Sequence, residues 1–162
     1  MRRTALSASA VAILVAAAWI VLLPPRAVEQ PIAFSHEAHA ELACAAVCHS
    51  GAETGIRAGI PQIAVCRNCH VTAPGSLDPV RWNQYLEGGG VPWIRVTHNP
   101  SHVYFSHARH VGLGDLDCVS CHGDIGTRAS PPGYAPLRLT METCLDCHTA
   151  KDADSDCASC HR

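Results

Sequence analysis

Aromatic side chains make up only 5% of the 162 residues and charged ones only 16%, too few on both counts for an ordinary globular interior and surface. Something other than side chains has to fill the core. Sustained apolar alternation is also missing, which argues against strands. An excess of positive charge is missing as well. Residues 27 to 162 hold all fourteen acidic residues but nine of the twelve basic ones, a net of −5 with histidine neutral, and this speaks against a nucleic-acid partner. Past the initiator there is a single methionine, Met141. The length suits one domain.

What is abundant is cysteine and histidine, ten and eleven residues. Every cysteine falls into a pair, and every pair is followed at once by histidine: Cys44 and Cys48 before His49, Cys66 and Cys69 before His70, Cys118 and Cys121 before His122, Cys144 and Cys147 before His148, and Cys157 and Cys160 before His161. They are numbered motifs 1 to 5 below. Four are C-x-x-C-H, and motif 1 carries one extra residue. C-x-x-C-H is the attachment signature of c-type haem: the thiols form thioethers to the vinyl groups, and the histidine is placed beneath the iron. A disulfide framework or shared zinc sites would leave five histidines without a purpose. We therefore expect five covalently attached haem c groups, with His49, His70, His122, His148 and His161 as proximal ligands.

Six histidines remain. Four sit in a repeated phrase, Phe34-Ser35-His36-Glu37-Ala38-His39 and Phe105-Ser106-His107-Ala108-Arg109-His110, an internal repeat. Each copy precedes two motifs, so two histidines match two haems in each unit. On an α-helix, residues three apart diverge by roughly 60° while staying one turn apart, so one short helix can ligate two haems. Motif 5 lies outside the repeat, and His102, His98 and Met141 compete for its sixth ligand.

Residues 4 to 25 carry no charge and lie between Arg2-Arg3 and Arg26. Thr4 to Leu23 would form a helix of about 30 Å, the thickness of a bilayer's hydrocarbon core, and the leading arginines would keep its start cytoplasmic. An uncleaved anchor is favoured over a cleaved signal because the apolar run continues past Ala16-Ala17-Ala18. The expected organisation is an anchor (or signal) over 1–26 and a periplasmic haem domain over 27–162. That domain divides into two-haem units at about 31–73 and 101–149, a haem-free insert at about 74–100, and the fifth haem at 157–161. Pro24 to Gln30 reads as a linker. The insert's Pro74-Gly75, Pro79, Gly88-Gly89-Gly90 and Pro92 read as breakers, and its Trp82, Tyr85 and Trp93 as packing rather than a docking surface. The expected fold is mainly irregular coil with short α-helices wrapped around five haems, behind one transmembrane helix.

The F-S-H-x-x-H phrase before C-x-x-C-H resembles the class III multihaem cytochromes c. Further stretches carry a closer likeness: Ala58-Gly59-Ile60-Pro61 before motif 2, Val91-Pro92-Trp93-Ile94-Arg95-Val96, His102-Val103-Tyr104-Phe105-Ser106-His107, Cys121-His122-Gly123 and Leu139-Thr140-Met141. Together they are similar to the pentahaem cytochrome subunits of alternative complex III and of the related menaquinone reductase complexes. The three-residue spacing in motif 1 and Thr97-His98-Asn99-Pro100 depart from that pattern. The resemblance implies an electron-transfer protein of the inner (cytoplasmic) membrane rather than an enzyme. Its implied partners are integral membrane quinol-oxidising subunits, an iron-sulfur, molybdopterin-type subunit, and a monohaem cytochrome or other periplasmic carrier. Histidine on both faces of every iron suits a wire. A stand-alone menaquinol dehydrogenase and a multihaem reductase are the alternatives.

Overall fold

The computed structural model describes residues 27 to 161, together with Ala12, Ile13, Val15 and Trp19 of the N-terminal segment, which are helical and exposed. The anchor or signal expected over 1–26 otherwise lies outside the described residues. Among the described residues no helix is long and apolar enough to cross a membrane.

Most of residues 27–161 is irregular, as expected. The α-helices are α1 (Ile63–Arg67), α2 (Pro79–Glu87), α3 (Val119–His122), α4 (Met141–Ala150) and α5 (Cys157–Cys160). Each except α2 carries all or part of a haem motif. The described residues show no strand, only one antiparallel bridge between Val103 and His161.

The insert is more ordered than its breakers suggested. Proline is tolerated at the first helical position, and Pro79 starts α2 while the Asp78 side chain accepts from the Val80 N–H at 2.7 Å. The glycines end that helix, with the Gly88 N–H bonded to the Gln84 carbonyl. Trp82 on α2 is 3% exposed and Trp93 meets Phe34 edge-on at 6.3 Å, so these two aromatics pack.

Nor is the stretch before residue 31 a free linker. The Val28 N–H donates to the Gly133 carbonyl at 2.7 Å, and the Gln30 amide pairs with both backbone groups of Ile94 (2.8 and 3.0 Å).

Helix α4, which carries motif 4, is held at its start by a reciprocal cap. The Thr143 N–H donates to the Thr140 hydroxyl at 3.2 Å, and the Thr143 hydroxyl accepts from the Thr140 N–H at 3.5 Å. Thr140→Ala removes one of these partners and is expected to cost about 1 kcal/mol, read as a lower unfolding midpoint of the haem-loaded protein. An unchanged midpoint would show that the haem attachment alone holds this helix.

The two repeat units clasp each other at matched positions. In the first phrase the Glu37 N–H donates to the Arg128 carbonyl at 3.0 Å; in the second, the Ala108 N–H donates to the Gly55 carbonyl at 2.8 Å. Glu37 and Ala108 each follow the first histidine of their phrase. Arg128 and Gly55 each lie six residues after the histidine of the other unit's first motif. Each phrase thus rests on the loop behind the opposite unit's first haem motif.

Candidate haem-ligating site

The phrases themselves are not α-helical. Glu37–His39 is a 3₁₀ turn and Ala108–Leu113 a π-helix, with His36 and His107 as the residues before them. A 3₁₀ turn brings residues i and i+3 almost into line, so in the first phrase the α-helical divergence expected between the two imidazoles is not what separates them. In both phrases a phenylalanine packs against the two histidines. Phe34 stacks on His39 at 4.6 Å and meets His36 edge-on at 4.9 Å; Phe105 repeats this with His110 at 4.6 Å and His107 at 4.9 Å. Sequence reasoning missed these two residues, although their place in both copies of the phrase was the available signal.

Motif 1 accommodates its extra residue by a wider turn. Cys44–Cys48 is a π-helix, and the His49 N–H donates to the Cys44 carbonyl at 2.7 Å. In motifs 2, 3 and 5 the histidine N–H reaches the first cysteine's carbonyl across one residue fewer, at 2.9 Å each. Changing an i→i+4 turn to i→i+5 keeps the histidine against its first cysteine.

None of the ten cysteines is in a disulfide, so the framework of cross-links weighed from the sequence is not what the fold builds. Motif 2 spans a helix end: Cys66 is the fourth residue of α1, whereas Cys69 lies beyond it in a turn, its N–H donating to the Cys66 carbonyl at 3.2 Å. The Cys69 thiol is exposed and that of Cys66 half-buried. Cys44, Cys118, Cys144, Cys147 and Cys157 are also exposed, which leaves these residues open to the alkylating vinyl groups.

The fold brings each phrase histidine to a motif histidine of its own unit. Ring centroids lie 6.0 Å apart for His39 and His70, 6.4 Å for His107 and His122, and 6.1 Å for His110 and His148. His36 lies close enough to His49 for each charge to oppose the other. Two imidazoles across one metal, with bonds of about 2 Å and ring radii of roughly 1.1 Å, stand about 6 Å apart. The His39/His70, His107/His122 and His110/His148 pairs have that spacing.

Outside the repeat, His102 faces His161 at 5.5 Å, held by the Val103–His161 bridge and the Tyr104 N–H on the Cys160 carbonyl. The other two candidates lie elsewhere. His98 is exposed with Nε2 on the Arg95 carbonyl at 3.0 Å, and Met141 is 61% exposed at the start of α4.

Backbone carbonyls fix the other ring nitrogen in five of these histidines. Nδ1 of His39 and His110 donates to Ser35 and Ser106 (2.7 and 2.8 Å), that of His49 to Gly59 (2.8 Å), that of His107 to Ile56 (3.2 Å), and that of His148 to Asp154. An Nδ1–H committed to a carbonyl leaves the lone pair on Nε2, the tautomer a metal needs, and raises its basicity. Burial pushes the His36 and His122 pKa values down. The charges of His49, His39 and Arg128 add to this for His36, and those of His107 and His49 for His122. Both are held in the neutral form that ligates.

Burial also pushes the thiols of Cys48, Cys66, Cys121 and Cys144 up, reinforced by neighbouring thiols: Cys44 for Cys48, Cys48 for Cys66, Cys147 for Cys121, and Cys160 for Cys144. These neighbours link motifs 1 with 2, 3 with 4, and 4 with 5; the His122–His49 proximity links 3 with 1.

The residues fit a prosthetic group on two further observations. Ala52, Ile63 and Trp82 are the only buried hydrophobic residues among those described, far short of what a domain of this size encloses. Two buried polar atoms, His36 Nδ1 and Trp82 Nε1, have no hydrogen-bond partner among the described residues, a costly state unless a bound group satisfies them.

Comparison with known proteins gives two findings. Residues 103–162 match the family of cytochrome c7 and related cytochromes c. Over 164 aligned residues, 83% of this chain and 77% of the relative, the sequence is 32% identical to the menaquinone reductase multihaem cytochrome c subunit of Nitratidesulfovibrio vulgaris (strain Hildenborough).

Proposed function

Because the chain belongs to the family of the menaquinone reductase multihaem cytochrome c subunit, we propose that it is a pentahaem relay, anchored in the inner membrane by residues 1–26, that carries electrons between membrane quinone-reactive subunits and a periplasmic carrier. The observation that supports this reading is the histidine pairing: four of the five motif histidines have a second imidazole at ring-centroid distances of 5.5 to 6.4 Å, and His36 lies within electrostatic reach of the fifth, His49. The assigned ligand pairs are His36/His49, His39/His70, His107/His122, His110/His148 and His102/His161, and all ten cysteines form the thioethers.

Haem c supplies a one-electron centre at each site. The chain's own residues would hold that centre in place: the paired histidines would supply two imidazoles to each iron, the backbone carbonyls on Nδ1 of His39, His49, His107, His110 and His148 keep those rings from turning, and Phe34 and Phe105 pack against the phrase histidines. An iron so ligated would rearrange little when its charge changes, which favours transfer over substrate turnover. The net charge of −5 over 27–162, deepened by haem propionates, favours a basic periplasmic partner. The relative is named for reducing menaquinone, the reverse of the quinol oxidation expected from sequence; the same relay serves either direction, and the potentials set it.

Affinity purification of the tagged chain from detergent-solubilised membranes tests the reading. Multi-span quinone-reactive subunits and an iron-sulfur, molybdopterin-type subunit should co-purify in fixed ratio, and only the assembled complex should exchange electrons with menaquinone. A chain that emerges alone and oxidises menaquinol by itself would be a stand-alone dehydrogenase. A high-spin haem with oxyanion reductase activity would overturn the relay.

A further inference from the structure

The strongest candidate beyond this reading is the loop of residues 49–59. It is closed on itself: the Gly51 N–H donates to the Ala58 carbonyl at 3.0 Å, the Gly55 N–H to the Gly51 carbonyl at 2.9 Å, and His49 Nδ1 to the Gly59 carbonyl at its far end. A Cβ at Gly51 would run into the Arg57 carbonyl, so the loop closes only around glycine. Its outer side lies on the second repeat unit. The Ala108 and His107 N–H groups donate to Gly55 (2.8 Å) and Ile56 (3.1 Å), and the Ile56 carbonyl also takes His107 Nδ1. At Gly112 the approach is so close that a Cβ there would overlap the Glu53 carbonyl oxygen. Beside this contact lies an open cleft of about 540 Å³ lined by Glu53, Thr54, Gly112 and Cys118.

We propose that this loop is a strap that fixes the ligands of two haems at once, the proximal histidine of motif 1 through Gly59 and the distal histidine of motif 3 through Ile56, and that Gly112 is the positioning residue that lets it seat. The inference rests on the ligand assignment above. Its consequence is that the two haems at the junction of the repeat units share one support. A carbonyl on Nδ1–H makes the imidazole a stronger donor and stabilises the oxidised iron. Displacing the strap weakens both bonds together and raises both potentials, while the haems of motifs 2, 4 and 5 keep theirs.

The test uses full-length haem-loaded protein carrying Gly112→Ala, with Gly126→Ala as the control because a Cβ at Gly126 meets nothing within 4 Å. His36→Ala and His107→Ala identify the signals of haems 1 and 3 by turning each high-spin; if neither does so, the ligand assignment has failed rather than the strap. In Gly112→Ala, the low-spin electron paramagnetic resonance signals of haems 1 and 3 should shift and their potentiometric components move upward, the other three unchanged. Five attached haems with no shift, or a shift confined to another haem, would overturn the proposal. If Gly112→Ala attaches fewer than five haems, deuterium exchange of the ring N–H protons in the wild-type protein decides. Slow exchange at both His49 and His107 supports the strap, and fast exchange at either overturns it.

Discussion

Produced in cells that cannot attach c-type haem, the domain of residues 27–162 is expected to be digested by a protease dose that leaves the haem-loaded protein intact, and to show little ordered circular dichroism. The reason is the balance between chain entropy and buried surface. Ordering a residue costs about 1 to 2 kcal/mol, and a domain offsets this mainly by removing apolar surface from water. Here the 136 residues from 27 to 162 enclose Ala52, Ile63 and Trp82 as their described buried hydrophobics. α1 is 5 residues long and α5 is 4, well below the length at which a helix is marginal by itself in water. With the five macrocycles proposed above, those residues would amount to about 27 for each, and the porphyrins would provide most of the interior. On that reading, attachment has to precede folding. A compact, protease-resistant apoprotein would refute this.

Replacing His102 with alanine is expected to convert one haem in five to a high-spin, ligand-accessible state, visible in the absorption spectrum and by carbon monoxide binding to the reduced protein. The other four should keep their low-spin signatures. His102 stands 5.5 Å from His161 because the Val103 bridge and the Tyr104 N–H tie its segment to the last motif. Loss of an axial imidazole also raises that haem's potential, so electron exchange at motif 5 should fall while the other four potentials stay in place. His98→Ala and Met141→Leu serve as counterparts. His98 spends its Nε2 on Arg95 and Met141 is exposed at the start of α4, so both should retain five low-spin haems. A high-spin haem in either variant, with His102→Ala unaffected, would reassign the ligand.

Much of the candidate site was legible in the sequence because haem attachment is encoded by side chains in fixed local order. The five motifs, the duplicated phrase and the match of each phrase to its own two motifs follow from spacing alone, and the fold places those residues in pairs. What the sequence hid is carried by backbone. The clasp runs from the Glu37 and Ala108 N–H groups to the Arg128 and Gly55 carbonyls, groups every residue possesses, so no residue type marks them. The wide turn of motif 1 was equally hidden, since Ala45, Ala46 and Val47 are compatible with several helical pitches. In the insert, Pro79 and Gly88 read as breakers of structure, yet they bound a helix at its two ends. For motif 5, the sequence favoured His102 and left His98 and Met141 as alternatives, and the feature that sets His102 beside His161, the long-range bridge at Val103, is invisible in spacing.

The docking of Val28 and Gln30 has a mechanical meaning. With the apolar run that ends at Leu23 taken as the anchor, five peptide links separate the lipid surface from the first hydrogen bond into the domain, a reach of about 17 Å when fully stretched. On so short a leash an anchored haem domain could not wander in search of a redox partner. It would stand over the bilayer like a turret with its base bolted down, and carriers would have to come to it.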